Sequence, residues 1–298
     1  FWLKHGPRRR SPHQRPLPAA RPLPAARSAL PPARAFPRDL PPPAMFCCCQ
    51  QSTASNVDAG CSESATDGSL QPASVVLVTV NVKPERVDDF LEAARLDSST
   101  ARDSAIEPGC LRFDCLRSRE DANRFVLYEA YLDDAAVDHH RTTDGFKAWR
   151  AFKESDGLVD QTVLRLETTS IPGGWAFQGG GAGDGAASSS VGCAVIVSVE
   201  VNAGRVEDFL QAMEQDARGS RDASIDPGCV RFDLLRRQDD PQKFIFFECF
   251  LDDDAMTKHK ETAHYKAWAA FKASGGIKSQ DVVRLETASI PGGWAFQG

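Results

Sequence analysis

No apolar run in the 298 residues approaches the ~18 that a membrane-crossing helix requires, so no membrane span is expected. Neither a GxGxxG turn nor a P-loop is present, which removes the common backbone cradles for dinucleotides and nucleoside phosphates and argues against a flavin or nucleotide cofactor. Nine cysteines occur, but no CxxC pair with zinc spacing and no even, paired framework. They read as reduced thiols, which points to the cytoplasm. Acid is nearly missing from residues 1–44, where nine basic residues accompany Asp39 alone; a chain of total charge −6 therefore carries −14 on the remainder. A body that acidic leaves no basic surface to neutralise phosphates, which excludes nucleic acid as the main partner.

What the first residues do contain is Arg15-Pro-Leu-Pro-Ala-Ala20, followed at once by the same six letters as Arg21–Ala26. Such a stretch cannot build a core, and residues 1–74 are read as a disordered leader and spacer. The first methionine is Met45. Residues 1–44 are either translated upstream sequence or, being Arg-rich and acid-poor, an organelle transit peptide, which is the alternative to a cytoplasmic location. The Cys47–Cys49 triplet lacks a second lipid signal, because Phe46 stands where myristoylation needs glycine.

Beyond Val75 the chain repeats itself. Ser170–Gln178 recurs letter for letter as Ser289–Gln297, an offset of 119 residues. The same offset maps Glu107-Pro-Gly-Cys110 onto Asp226-Pro-Gly-Cys229, His140 onto His259, and Lys147-Ala-Trp149 onto Lys266-Ala-Trp268. A period this long makes each copy a small domain rather than a solenoid turn. The domains are 75–178 and 193–298, joined by a Gly/Ser linker at 179–192.

Each copy opens with a β-branched run, residues 75–82 in the first, ending at Lys83-Pro84. Val87, Phe90, Leu91 and Ala94 then make one apolar helix face, as do Val206, Phe209, Leu210 and Met213. Strands follow at Arg112–Arg117 and Phe125–Leu132, a helix from Asp133 through His140, another over Phe146–Lys153, and a last strand at Val163–Glu167. The order β-α-β-β-α-β is the ferredoxin-like, or split βαβ, pattern of the α+β class. Its third strand is apolar on both sides: Phe125, Leu127 and Tyr131 face one way, Val126 and Tyr128 the other. A strand apolar on both faces must be covered twice. We therefore expect the two repeats to pack sheet to sheet as an intrachain dimeric α/β barrel, with Trp175 and Trp294 of the repeated tails laid across the partner repeat.

His140 and His259 are the histidines retained in both copies, and imidazole titrates where a proton must move. His139 is replaced by Lys258, so the adjacent pair is not shared. His259 and His264 lie five apart, a poor spacing for one helix face, and no metal is expected. Glu129 and Glu248 sit mid-strand among large apolar residues, where a lone carboxylate is costly. Each is either ion-paired, with Arg112/Arg231 or Arg165/Arg284, or a general acid/base of raised pKa.

The strings Pro108-Gly-Cys-Leu-Arg-Phe-Asp114, Arg124-Phe-Val-Leu-Tyr-Glu-Ala-Tyr131 and His140-Arg-Thr-Thr143 resemble the antibiotic-biosynthesis monooxygenase (ABM) superfamily, and within it the LsrG-type autoinducer-2 phosphate isomerases. The resemblance spans 75–169 and 194–287. It implies a dimeric α+β barrel with a cofactor-free pocket in each domain and a small-molecule substrate. The family pattern His-x-x-Thr-x-His-Phe/Tyr is complete in repeat 2 as His259, Thr262, His264 and Tyr265; repeat 1 has His140, Thr143 and Phe146 but Gly145 at the second histidine. On this basis His259, His264, His140, Glu248 and Glu129 are the candidate catalytic groups. Thr262, Tyr265, Thr143, Phe146, Arg231 and Arg112 are the candidate substrate contacts. An isomerase of a phosphorylated hydroxy-diketone would use His259 as base; a cofactor-free monooxygenase of quinols or polyphenols, or a non-catalytic ligand-binding barrel, are the alternatives. Further pairing of the two-repeat unit with a second copy stays open.

Overall fold

The computed structural model describes residues 74–171 and 192–290. The leader, the Cys47–Cys49 triplet, most of the linker, and Trp175 and Trp294 of the tails lie outside them. Repeat 1 runs β1 (Ser74–Val82), α1 (Val87–Arg102), β2 (Cys110–Ser118), β3 (Arg124–Tyr131), α2 (Asp134–His140), α3 (Asp144–Glu154) and β4 (Leu158–Thr168). Repeat 2 runs β5 (Cys193–Val201), α4 (Val206–Arg221), β6 (Cys229–Arg237), β7 (Lys243–Phe250), α5 (Asp253–His259), α6 (Ala263–Ala273) and β8 (Ile277–Thr287). Pro84 opens a single 3-10 turn before α1, where its fixed φ suits a first turn and its missing N–H costs nothing. β4 starts five residues before the expected Val163. Its first half is exposed and polar, so hydrophobic pattern is weak there; the ladder with β1 makes the strand instead.

Within each repeat the strands pair antiparallel, β4-β1-β3-β2 and β8-β5-β7-β6. The expected face-to-face sheets are also fused at their edges into one closed barrel, β1-β3-β2-β8-β5-β7-β6-β4. Two short seams close it: Leu116–Ser118 against Leu285–Thr287, and Leu166–Thr168 against Leu235–Arg237. Closure leaves no long sheet edge at the junction of the repeats.

Three apolar layers result. Val75, Leu77, Val126, Tyr128, Ile196 and Phe247 belong to the barrel interior. Phe90, Phe113, Phe125, Leu127 and Trp149 form the layer beneath the helices of repeat 1, matched in repeat 2 by Phe209, Phe232, Phe244, Phe246 and Trp268. Each such fully buried side chain is worth roughly 1.5–3 kcal/mol. The repeats also exchange their tails. Ile171 packs on the helix-side core of repeat 2, while Ala288 and Ile290 pack on that of repeat 1, with the Ala288 N–H donating to the Cys115 carbonyl at 3.2 Å.

Candidate active sites

Both candidate sites lie between the sheet and its own helices. Strand alternation puts Glu129 on the helix-facing side with Leu127 and Tyr131, and pairs it with Phe113 of β2. Asp133 caps the seven-residue α2 by accepting from the Ala136 N–H, and the helix ends on His140, which is 3 % exposed. Thr143 then caps α3, accepting from the Phe146 N–H and donating to the His140 carbonyl at 2.8 Å. Thr262 does the same for α6 and His259, at 2.6 Å. These threonine hydroxyls are engaged by the backbone: they fix the joint between two helices, and so the imidazole, rather than facing a ligand.

Behind each histidine stands an acid from the turn before Pro-Gly. His140 Nδ1 lies 2.9 Å from Glu107 Oε2, and His259 Nδ1 lies 2.8 Å from Asp226 Oδ2. Burial alone would favour neutral imidazole. The hydrogen-bonded acid and the nearby carboxylates (Glu129 and Asp97, or Glu248 and Asp216) outweigh it and raise both histidines above their ordinary range. A carboxylate at Nδ1 places the ring proton there and leaves Nε2 as the basic atom. His259 Nε2 is buried and finds no hydrogen-bond partner among the described residues.

The carboxyls opposite are shifted as well. Burial pushes Glu129 up and takes Glu248 up to about 7. Glu129 does not make the arginine pair that was one of its expected readings: it accepts from the Tyr131 hydroxyl at 2.9 Å. Arg112 shares its face with Ala130 on the barrel interior, where it pairs with Asp114 at 2.5 Å; Arg231 pairs with Asp233 in the same way. The structure therefore puts both arginines on the side of the sheet away from the histidines. Phe146 and Tyr265 do lie against the imidazoles, edge-on with ring centroids 5.2 Å from His140 and His259.

Sequence reading missed two acids per site. Asp97 and Asp216 are 1 % exposed and come from α1 and α4. The signal was present: Asp97 falls seven residues after Phe90 and three after Ala94, on the apolar helix face, and the second copy keeps an acid there. Glu107 and Asp226 entered the sequence reading only as part of the repeated Pro-Gly-Cys string, although the position is acidic in both copies.

In repeat 2, His264 enters from the first turn of α6. Its Nδ1 lies 2.9 Å from Asp216 Oδ1 and its Nε2 3.6 Å from Asp226 Oδ2, and its ring centroid is 5.2 Å from that of His259. The five-residue spacing that looked wrong for one helix works because the two histidines sit on two helices. Asp226, His259 and His264 thus bring ligand-type atoms within 4.8 Å of one another. The His259–Asp226 spacing, however, is also found at His140–Glu107, where Gly145 stands in place of the second histidine of the pattern, so it is the spacing of a hydrogen bond. Beside Asp226 a cleft of about 380 Å³ opens, lined by Pro227, Gly228, Ala255, Lys258 and Thr262. At the matching place in repeat 1, His139 Nε2 lies 2.8 Å from the Ile106 carbonyl.

Among the described residues no helix is long and apolar enough to cross a membrane. The isomerase of (4S)-4-hydroxy-5-phosphonooxypentane-2,3-dione from Klebsiella pneumoniae is 49% identical over 75 residues, covering 25% of this chain and 74% of that protein. The same-named enzyme of Yersinia enterocolitica is 41% identical over 97 residues, covering 33% of this chain and 94% of that one. A candidate monooxygenase from Lactobacillus acidophilus NCFM, at 18% identity, shares the fold over 72% of this chain and 93% of its own, with a TM-score of 0.57. The antibiotic biosynthesis monooxygenase family matches at residues 73–151 and again at 193–270, together more than half of the sequence, and the chain belongs to that family in two tandem copies.

Proposed function

We propose that the chain is a cofactor-independent isomerase of a phosphorylated hydroxy-diketone, working chiefly in repeat 2. The observation that carries this reading is the similarity to enzymes named for that substrate, over nearly the full length of one of them. The geometry supports it. His259, oriented through Nδ1 by Asp226, offers Nε2 to the C–H beside a carbonyl. The electron pair moves into an enediolate, and Glu248, protonated near neutrality through its raised pKa, returns a proton to the neighbouring carbon. His264, whose ring centroid lies 5.2 Å from that of His259, supplies the donor toward the oxyanion. Tyr265 forms an aromatic wall.

The test is NMR of 4-hydroxy-5-phosphonooxypentane-2,3-dione incubated in air with the full chain. Rearranged product is expected, with the rate falling by about a hundredfold in His259→Ala. An unchanged substrate spectrum would reject the isomerase and leave dioxygen-dependent oxidation of quinols as the reading to try next.

A further inference from the structure

Repeat 1 looks at first like a copy that has lost its second histidine. Its remaining groups are nevertheless arranged in a way that repeat 2 does not share. Asp97 Oδ1 faces His140 Nε2 across 4.0 Å, and both side chains are almost wholly buried. That separation is too long for a hydrogen bond and suits two polar atoms meeting one ligand together. Among the described residues Asp97 Oδ1 finds no hydrogen-bond partner, nor does Glu107 Oε1 behind His140. An unmatched buried polar atom is costly, and natural proteins keep few of them. In repeat 2 the acid at the equivalent position is engaged by an imidazole, His264 to Asp216 at 2.9 Å; in repeat 1 Gly145 supplies none.

We infer that repeat 1 is a second acid–base site with its own pair of groups, in which Asp97 and His140 together bind and enolise a small uncharged α-hydroxycarbonyl compound. The carbonyl oxygen sits against Asp97 and the adjacent C–H against His140 Nε2. The C–H bond breaks and its electron pair forms the C=C bond of an enediol. The proton passes to His140, and the carbonyl oxygen takes the Asp97 proton. Return of a solvent proton to carbon reverses both steps, so no oxidant or reductant is consumed. Burial holds the Asp97 carboxyl up at about 7, which keeps that proton available near neutrality. An uncharged ligand is favoured because Asp97, Glu107 and Glu129 share a single imidazole, whereas Asp216, Asp226 and Glu248 share two.

The chemistry is that of the isomerase reading but the residues are not, so the two can fail separately. Hydroxyacetone is incubated in D2O with the full chain carrying His259→Ala, and deuterium entry at the carbon between its hydroxyl and carbonyl groups is followed by NMR. Exchange is expected to persist in that background and to fall by about a hundredfold on adding Asp97→Asn or, separately, His140→Gln. Exchange that disappears with His259→Ala alone, that ignores Asp97→Asn, or that never rises above the buffer rate overturns the proposal. A second reading needs no disruptive variant. Hydroxyacetone should shift the Hε1 resonance of His140 in the unaltered chain, the peak being identified by its loss in His140→Gln; an unmoved peak counts equally against the site. Turnover of the phosphorylated diketone, measured alongside, reports on repeat 2.

Discussion

The two repeats differ most usefully at a single helix–helix contact. In repeat 1, Gly145 of α3 meets α1 so closely that an added Cβ would lie 2.8 Å from the Asp97 Cα and 2.9 Å from the Thr100 Cβ. In repeat 2 the matching residues are His264 and Gly219, and a Cβ on Gly219 would lie 2.3 Å from the His264 ring. A small residue on one helix faces a larger one on the other in both copies, with the sides exchanged. The comparison teaches that the missing histidine of repeat 1 is half of a coupled change. Thr100 occupies the side that Gly219 vacates, and the helices of repeat 1 have closed to a distance at which a histidine in place of Gly145 would not fit. Divergence between duplicated sites has passed through packing, and the acids left behind, Asp97 and Asp216, have acquired different partners as a result.

The sharpest way to break that comparison is to force the histidine back. Gly145→His alone overpacks against backbone as well as against Thr100 and should cost about 3 kcal/mol, read as a lower midpoint in urea. Adding Thr100→Gly should recover part of this but not all, because the Asp97 backbone remains too near. The double-mutant cycle gives the coupling directly; strict additivity would mean that the exchange is accidental.

That coupling explains how much could be read from sequence. The β-α-β-β-α-β order was legible because periodicity reports local burial, and the barrel because Val126 and Tyr128 had to be covered as well as Phe125 and Leu127. His140 and His259 were legible as retained letters. Asp97, Glu107 and their counterparts were not singled out, since helix periodicity and a Pro-Gly break each gave them an ordinary structural reason to exist. Arg112 was misplaced for a different reason. A bulge between Cys110 and Arg112 interrupts the alternation of β2, and the pairing that decides its face, with Ala130, is a tertiary fact. Gly145 read as a simple loss because its partner Thr100 lies 45 positions away, on another helix.

A smaller effect sharpens the same contrast through pH. The folded pKa of Asp97, about 7, lies above its ordinary value of 3.8. Below pH 3.8 both folded and unfolded chains keep the proton, and the group costs nothing. Between 3.8 and 7 the unfolded chain ionises first, so stability drains away as pH rises, and above 7 the loss is complete. His140, also raised, loses its contribution in the same direction as pH climbs through its folded value. Asp97→Asn should therefore be nearly silent at pH 4 and stabilising by about 2 kcal/mol at pH 8. Asp216→Asn should show no such gain, because it disturbs the hydrogen bond to His264 Nδ1. Thermal midpoints of both variants at the two pH values decide this; matching responses would erase the distinction between the repeats.

The smallest expected effect tests whether asymmetry reaches the barrel interior that the repeats share. Tyr128 and Phe247 are equivalent residues and stack on each other at 4.1 Å, but the Tyr128 hydroxyl alone donates to the opposite repeat, to Asp233 at 3.0 Å. Tyr128→Phe makes the pair symmetric and should cost about 1 kcal/mol, the worth of one buried hydrogen bond to a charged acceptor less the gain of losing a polar atom. The reciprocal exchange, Tyr128→Phe with Phe247→Tyr, moves the hydroxyl across the pseudo-twofold axis toward Asp114, which Arg112 and Arg102 already attend. Recovery of the lost stability would show that the interior has kept the symmetry of the ancestral pair and that divergence is confined to the helix side of each sheet. Failure to recover would mean that the two halves of the barrel have become as unlike as the two sites outside it.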